Sequence, residues 1–215
     1  MENVLIAGAN GTTGKIIVNL LKESQYFRPI AMVRKKDQME QFESMGVKTI
    51  LGDLEKDLVH TMDDIDKVIF AAGSGGKKVV EVDQEGAKRL IDVAKMAHIK
   101  KFVMLSSIGA DQPEKADKLQ DYLKAKQNAD EHLRHSGLNY TIVRPGALKN
   151  DKAVGKIDLA KSLEHKDGDI SRQDVAQTLV RVLHDTTANA ATFEILEGDT
   201  LIGEAVKKVS VAEAK

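Results

Sequence analysis

Val4-Leu5-Ile6-Ala7, then Gly8-Ala9-Asn10-Gly11-Thr12-Thr13-Gly14, then Lys15-Ile16-Ile17-Val18-Asn19-Leu20-Leu21 stand near the start of the chain. The first run is short and apolar and reads as a buried strand. The third has helical spacing. Between them lies a glycine-rich turn. The first turn of a helix leaves backbone N–H groups unpaired, and the helix dipole places partial positive charge there. Glycines let the backbone turn sharply and approach an anion with no Cβ in the way. A G-x-x-G-x-x-G string at a strand-to-helix junction is the layout that holds the pyrophosphate of a dinucleotide.

Outward from that unit, apolar β-rich runs recur at 4–7, 30–33, 47–51, 67–71, 102–105, 140–143 and 192–196. Helical patterns begin near Thr13, Lys36, Val79, Ala116, Ser171 and Leu201. Strands that are apolar on both faces and alternate with helices form a parallel sheet covered on both sides. The expected fold is α/β, a Rossmann-type doubly wound parallel sheet. It has about seven strands in the order 3-2-1-4-5-6-7, joined by right-handed crossovers. At 215 residues the chain suits one domain spanning 1–215. Residues 147–170, charged and carrying Gly155 and Gly168, read as loops with a short strand and as the main substrate-side elements.

Composition narrows the function. A formal net charge of −1 gives no basic footprint for nucleic acid. With no cysteine there can be no disulfide, thiolate metal site or cysteine nucleophile. His132 and His135 lie three apart with no third ligand at matching spacing, so no metal is expected. No apolar run approaches the roughly 20 residues that cross a bilayer, and the first strand leaves no room for a signal peptide. The expectation is a cytoplasmic protein with a small-molecule substrate and no membrane partner. No apolar helix marks a dimer seam, so monomer and homodimer stay open.

The second strand ends in Val33-Arg34-Lys35-Lys36, where an NAD-binding unit carries an acid for the ribose 2′-hydroxyl. A guanidinium there pairs with a 2′-phosphate, which favours NADP, with NAD possible. Asp53 and Leu54 follow the third strand, where the carboxylate can accept from an adenine amino group or cap the next segment. Ala71-Ala72-Gly73 ends the fourth strand with residues small enough for backbone to lie against a cofactor, and Lys77-Lys78 flanks the loop beyond.

Ser106-Ser107 ends the fifth strand, and Tyr122 and Lys126 follow at i and i+4 on one helical face. Such residues are about 5–6 Å apart at Cβ. An ammonium beside a phenol favours the phenolate, which suits Tyr122 to general acid/base work. A serine hydroxyl can polarise a substrate carbonyl.

Taken in order, Gly8-x-x-Gly11-x-x-Gly14, Asp53-Leu54, Ser106-Ser107, Tyr122-x-x-x-Lys126 and Arg144-Pro145-Gly146 resemble the short-chain dehydrogenase/reductase superfamily. The runs 136–146 and Ser171-Arg172-Gln173-Asp174-Val175-Ala176 are similar to its atypical NmrA-like branch, whose members often carry epimerase or dehydratase names. The resemblance implies that Gly8, Gly11 and Gly14, with Thr12 and Thr13, hold the pyrophosphate. It implies that Arg34 holds the 2′-phosphate, and Asp53 and Leu54 the adenine. Ser107 would polarise the substrate, Tyr122 act as acid/base, and Lys126 bind the nicotinamide ribose. Ser106, Arg144, Pro145 and Gly146 would lie on the substrate side. The expected activity is NADP-dependent oxidoreduction of a small carbonyl or similar substrate. The alternatives are a non-catalytic NADP-binding redox sensor and an NAD-dependent epimerase/dehydratase. Only 24 residues (147–170) separate Gly146 from Ser171, too few for the substrate domain of an extended epimerase.

Overall fold

The computed structural model describes residues 1–212. In chain order its elements are β1 (Glu2–Ala7), α1 (Thr12–Lys22), β2 (Phe27–Val33), α2 (Lys36–Glu43), β3 (Lys48–Leu51) and β4 (Lys67–Phe70). Next come α3 (Glu85–Met96), β5 (Lys101–Leu105), α4 (Gln120–His135), β6 (Tyr140–Pro145), β7 (Ala147–Lys149), β8 (Lys156–Ala160) and β9 (Asp169–Ser171). The chain continues through α5 (Arg172–Arg181), β10 (Ala191–Glu197), β11 (Thr200–Leu201) and α6 (Ile202–Ala212).

Side chains alternate across a strand, and β1 shows what that does here. Val4 and Ile6 enter one core with Ile17, Val18 and Leu21 of α1 and Val175 and Leu179 of α5. Leu5 and Ala7 enter the opposite core with Leu90 and Ile91 of α3 and Leu133 of α4. Both faces are covered, so the strand must be apolar throughout. In the sheet the order is β11-β8-β10-β6-β5-β4-β1-β2-β3. The seven strands from β3 to β10 are parallel, in the expected order with β10 as the seventh. Leu5 of β1 stands opposite Ile30 on one side and Val68 on the other, which places the order reversal at the β1–β4 boundary.

Two strands extend the sheet beyond the expected seven. β8 pairs antiparallel with β10, and β11 pairs antiparallel with β8. Residues 147–170 therefore hold strands where mostly loops were expected, because β7 also pairs with β9, Leu148 opposite Ile170. Lys156-Ile157-Asp158-Leu159-Ala160 alternates charge with apolar side chains, and only Ile157 is fully buried. That pattern belongs to a half-covered strand near a sheet edge, and its charges disguise it. Two helix starts also move. The segment from Pro113 to Lys115 is a 3₁₀ turn, the backbone passes through a left-handed residue at Leu119 (φ 63°), and α4 starts four residues later than expected. Val79–Gln84 is a π turn that leads into α3.

At the amino ends of the central strands, Lys67 and Lys101 begin β4 and β5, directly opposite one another, and both are fully buried. Their charges are met at the end of α5. Lys67 Nζ donates to Leu183 O (2.8 Å) and pairs with Asp185 (2.5 Å) and Glu2 (2.7 Å). Lys101 Nζ donates to the carbonyls of His184 and Thr187 and to Asn189 Oδ1. These ammonium groups tie the segment that follows α5 to the amino ends of the central strands.

Candidate active site

The turn between β1 and α1 is shaped for a close approach. Gly8 has φ 91°, and a Cβ there would lie 2.6 Å from the Ala72 backbone. A Cβ on Gly14 would lie 2.0 Å from Gly8 O. The Gly11 N–H donates to Gly8 O at 2.9 Å and closes the turn. Gly11 also caps α1 with no side-chain hydrogen bond, so no side chain competes for the helix's first N–H groups. Residues with a Cβ at 8 or 14 would push the turn out of this shape.

A cleft of about 940 Å³ opens over this turn, at the carboxyl edge of the sheet beside the β1–β4 switch point. Gly8, Gly11, Thr12 and Thr13 line it, as do Arg34, Asp53, Leu54, Ala71, Ala72 and Gly73. Gly14 stands behind the turn rather than on the wall. Arg34 is exposed, its N–H donates to Gln38 Oε1 (3.1 Å), and its guanidinium has no ion pair among the described residues. Asp53 Oδ1 accepts from the Glu55 N–H (3.1 Å), and buried Leu54 packs so close to α3 that a Cβ on Gly86 would come within 2.8 Å of it. Lys77 and Lys78 reach the wall, but Lys78 is tied to Glu55 at 2.8 Å, and that hydrogen bond raises its pKa. Asn10 Oδ1 and Ser74 Oγ also belong to cleft residues, are buried, and lack a protein partner. A glycine cradle, two polar atoms awaiting partners and an unpaired guanidinium fit a dinucleotide carrying phosphates.

The same cleft receives α4. Tyr122 and Lys126 both line it, with Lys126 Nζ 5.6 Å from the centre of the Tyr122 ring and 5.8 Å from that of Phe70. Lys126 is buried, donates to Leu105 O (3.3 Å) and lies 3.9 Å from Asp83 Oδ1. Asp83, itself buried, accepts from the Ser74 N–H at 3.0 Å. Ser106 stands on the wall, and its Oγ donates to Asp130 Oδ2 at 2.9 Å. Arg144 reaches that oxygen through Nε (3.0 Å) and Nη2 (2.9 Å). Burial pushes the Asp130 carboxyl up, against the opposing pull of Arg144, Ser106 and Lys126.

The remaining expected positions lie away from the cleft. Ser107 Oγ donates to Ile108 O (3.1 Å) and does not line the wall. Arg144 is buried behind Ser106, and Pro145 continues β6. Gly146 is wedged where a Cβ would meet Leu196 at 2.3 Å and Gly168 O at 2.5 Å. Leu119, Leu148 and Arg172 line the cleft as well. Sequence reasoning passed over Asp83 and Asp130. Asp130 carried a signal, being four residues beyond Lys126 on the same helical face, whereas Asp83 sits in a charged stretch with no such mark. His132 pairs with Asp92 at 2.6 Å, and no group of three metal-ligating side chains occurs among the described residues. No helix there is long and apolar enough to cross a membrane.

A doubly wound sheet with a phosphate cradle at its switch point, and a Tyr-x-x-x-Lys helix leaning into the same cleft, defines a class. It is the Rossmann-type nucleotide-binding protein built like the short-chain dehydrogenases/reductases. The chain belongs to the NAD(P)H-binding family, whose model matches residues 8–186. It is 39% identical over 214 residues to the uncharacterized sugar epimerase YhfK of Bacillus subtilis, covering 96% of this chain and 99% of that one. It is 29% identical over 253 residues to sanguinarine reductase of Eschscholzia californica, covering 95% and 92%. A solved structure from Bacillus halodurans, provisionally named an NAD-dependent epimerase/dehydratase, superposes with a TM-score of 0.92 at 36% identity, covering 97% of this chain and all of the other.

Proposed function

We propose that the protein is an NADP-dependent oxidoreductase acting on a small carbonyl or similar substrate. The observation that carries this reading is that Ser106, Tyr122 and Lys126 line the same cleft as the 8–14 turn. When bound, the nicotinamide supplies or takes up the hydride. Tyr122 gives the proton to the substrate oxygen in the reducing direction and takes it back in the oxidising one. The Lys126 ammonium donates to Leu105 O, lies near Asp83 and places positive charge against the Tyr122 ring. Ser106 takes the substrate-orienting role in place of Ser107, because it alone of the two reaches the cleft. With its hydrogen on Asp130, Ser106 Oγ offers lone pairs to a substrate hydroxyl in the oxidising direction, and it turns that hydrogen to the substrate oxygen when a carbonyl is bound.

Arg34 follows β2 and lines the cleft with its guanidinium unpaired among the described residues, which suits it to a 2′-phosphate and supports NADP over NAD. The small substrate follows from residues 147–170. Their β8 joins the main sheet, and β7 and β9 pair with each other as a small two-stranded sheet, which leaves no large substrate lobe. That disfavours a nucleotide-sugar epimerase despite the names of two relatives, and a reductase among the relatives agrees with the oxidoreductase reading.

NADPH oxidation against small aldehydes, quinones, flavins and dicarbonyls tests the proposal. Turnover of at least one of them is expected, falling by about 10²- to 10⁴-fold in Tyr122→Phe. Turnover undiminished in that variant would remove Tyr122 from the reaction. A blank across the panel with NADPH still bound would contradict catalysis and favour the non-catalytic sensor.

A further inference from the structure

Five cationic side chains line the cleft: Arg34, Lys77, Lys78, Lys126 and Arg172. Lys78 is paired with Glu55, Lys126 stands beside buried Asp83, and Arg34 lies on the far side, at the end of β2. Arg172 is different. It is half-buried at the first position of α5, and its Nη1 donates to Leu148 O (3.0 Å) and Asn150 Oδ1 (2.8 Å). Both acceptors are neutral. They fix the guanidinium in place without cancelling its charge, and no carboxylate pairs with it among the described residues. Its Nε and Nη2 carry no hydrogen bond there. A planar fork immobilised in this way loses little further freedom on taking a carboxylate.

Arg172 is fixed by Leu148 and Asn150, within the segment 147–170 read above as substrate-side. Leu148, which fixes it, lines the cleft from β7, and apolar Leu119 lines it with Tyr122. We propose that Arg172 anchors a carboxylate of the substrate, so that the substrates are small carbonyl compounds, or the alcohols they form, bearing a carboxylate. This rests on the oxidoreductase reading and narrows it. The anchor would hold one end of the substrate while Ser106 and Tyr122 take the oxygen that reacts. The same guanidinium chemistry could instead serve the cofactor's pyrophosphate, since α5 packs along α1, and the test separates the two.

NADP⁺ is titrated calorimetrically into the wild type and Arg172→Gln. Benzoate and its neutral counterpart benzamide are then titrated into each protein saturated with NADP⁺. The wild type is expected to bind benzoate at least about tenfold more tightly than benzamide, the worth of a charge-assisted hydrogen bond. Arg172→Gln is expected to lose that preference and to keep its NADP⁺ affinity within about twofold. Equal binding of benzoate and benzamide by the wild type, or a preference that survives in Arg172→Gln, overturns the proposal. So does a large loss of NADP⁺ affinity in the variant, which would assign Arg172 to the pyrophosphate. Failure of the wild type to bind NADP⁺ at all would appear in the first titration and would sink the oxidoreductase reading itself.

Discussion

Asp130 Oδ2 accepts from three donors: Ser106 Oγ and the Nε and Nη2 of Arg144. Both side chains are taken out of water and stabilise one another, with Asp111 3.9 Å from Arg144 as a weaker second partner. Removing one member of a buried pair strands its partner and costs about 3–5 kcal/mol. Asp130→Ala should lower the unfolding free energy by that amount in urea titration, whereas Asp130→Asn keeps an acceptor for Arg144 and should lose less. Since Ser106 loses its orienting acceptor in Asp130→Ala, that variant should also slow any NADPH-dependent turnover. This pair shows how a sequence motif can be recognised and still be misplaced. Arg144-Pro145-Gly146 was legible as a string, and burial of the arginine behind Ser106 was not. Nothing in the string records that its carboxylate partner lies 14 residues upstream on α4.

The elements most readable in the sequence are those whose chemistry is uniform. β1 is apolar because both of its faces are covered, and α1 spaces Ile17, Val18 and Leu21 toward one core. The turn joining them has little latitude. Gly8→Ala would force a left-handed alanine into the Ala72 backbone, strain of order 1–3 kcal/mol at such a site. Thermal unfolding should shift accordingly, and NADPH affinity should be lost with the shape of the turn. The lysine tie to the segment after α5 was hidden, since charged residues at the start of β4 and β5 read as ordinary strand ends. Lys67→Met should cost about 1–3 kcal/mol, because Leu183 O loses its donor in a buried setting. The two carboxylates it leaves behind are partly exposed and add little. Its hydrogen bond from Lys67 holds the Asp185 carboxyl below the ordinary value. The folded state therefore binds that proton more weakly than the unfolded chain. The contribution is intact at neutral pH and is lost as pH falls through the carboxylate range, below about pH 4. Acid titration of stability should show this loss in the wild type and a shallower one in Lys67→Met.

At the scale of the whole molecule, topology puts the cleft where it is. Strands run outward from β1 in both directions, the connecting loops part at the β1–β4 boundary, and the cradle, Arg34 and the face of α4 meet above that gap. The parallel order was legible because each strand announced itself by apolar composition. β8 and β11 were not, since a half-covered strand at the rim looks like a charged loop. The split of the cleft into a cofactor end and a substrate end was legible only at the cofactor end, where local turn geometry fixes the contacts. The end we read as substrate-binding brings Leu119, Leu148 and Arg172 together from three distant segments. The proposed preference for NADP rests on Arg34 reading the 2′-phosphate. Calorimetric titration of NADPH and NADH into the wild type and Arg34→Ala tests it most directly. The wild type should prefer NADPH by about 10- to 100-fold, as expected for charge-assisted hydrogen bonds, and Arg34→Ala should bind the two alike. Equal affinities in the wild type, or a preference untouched in the variant, would contradict it.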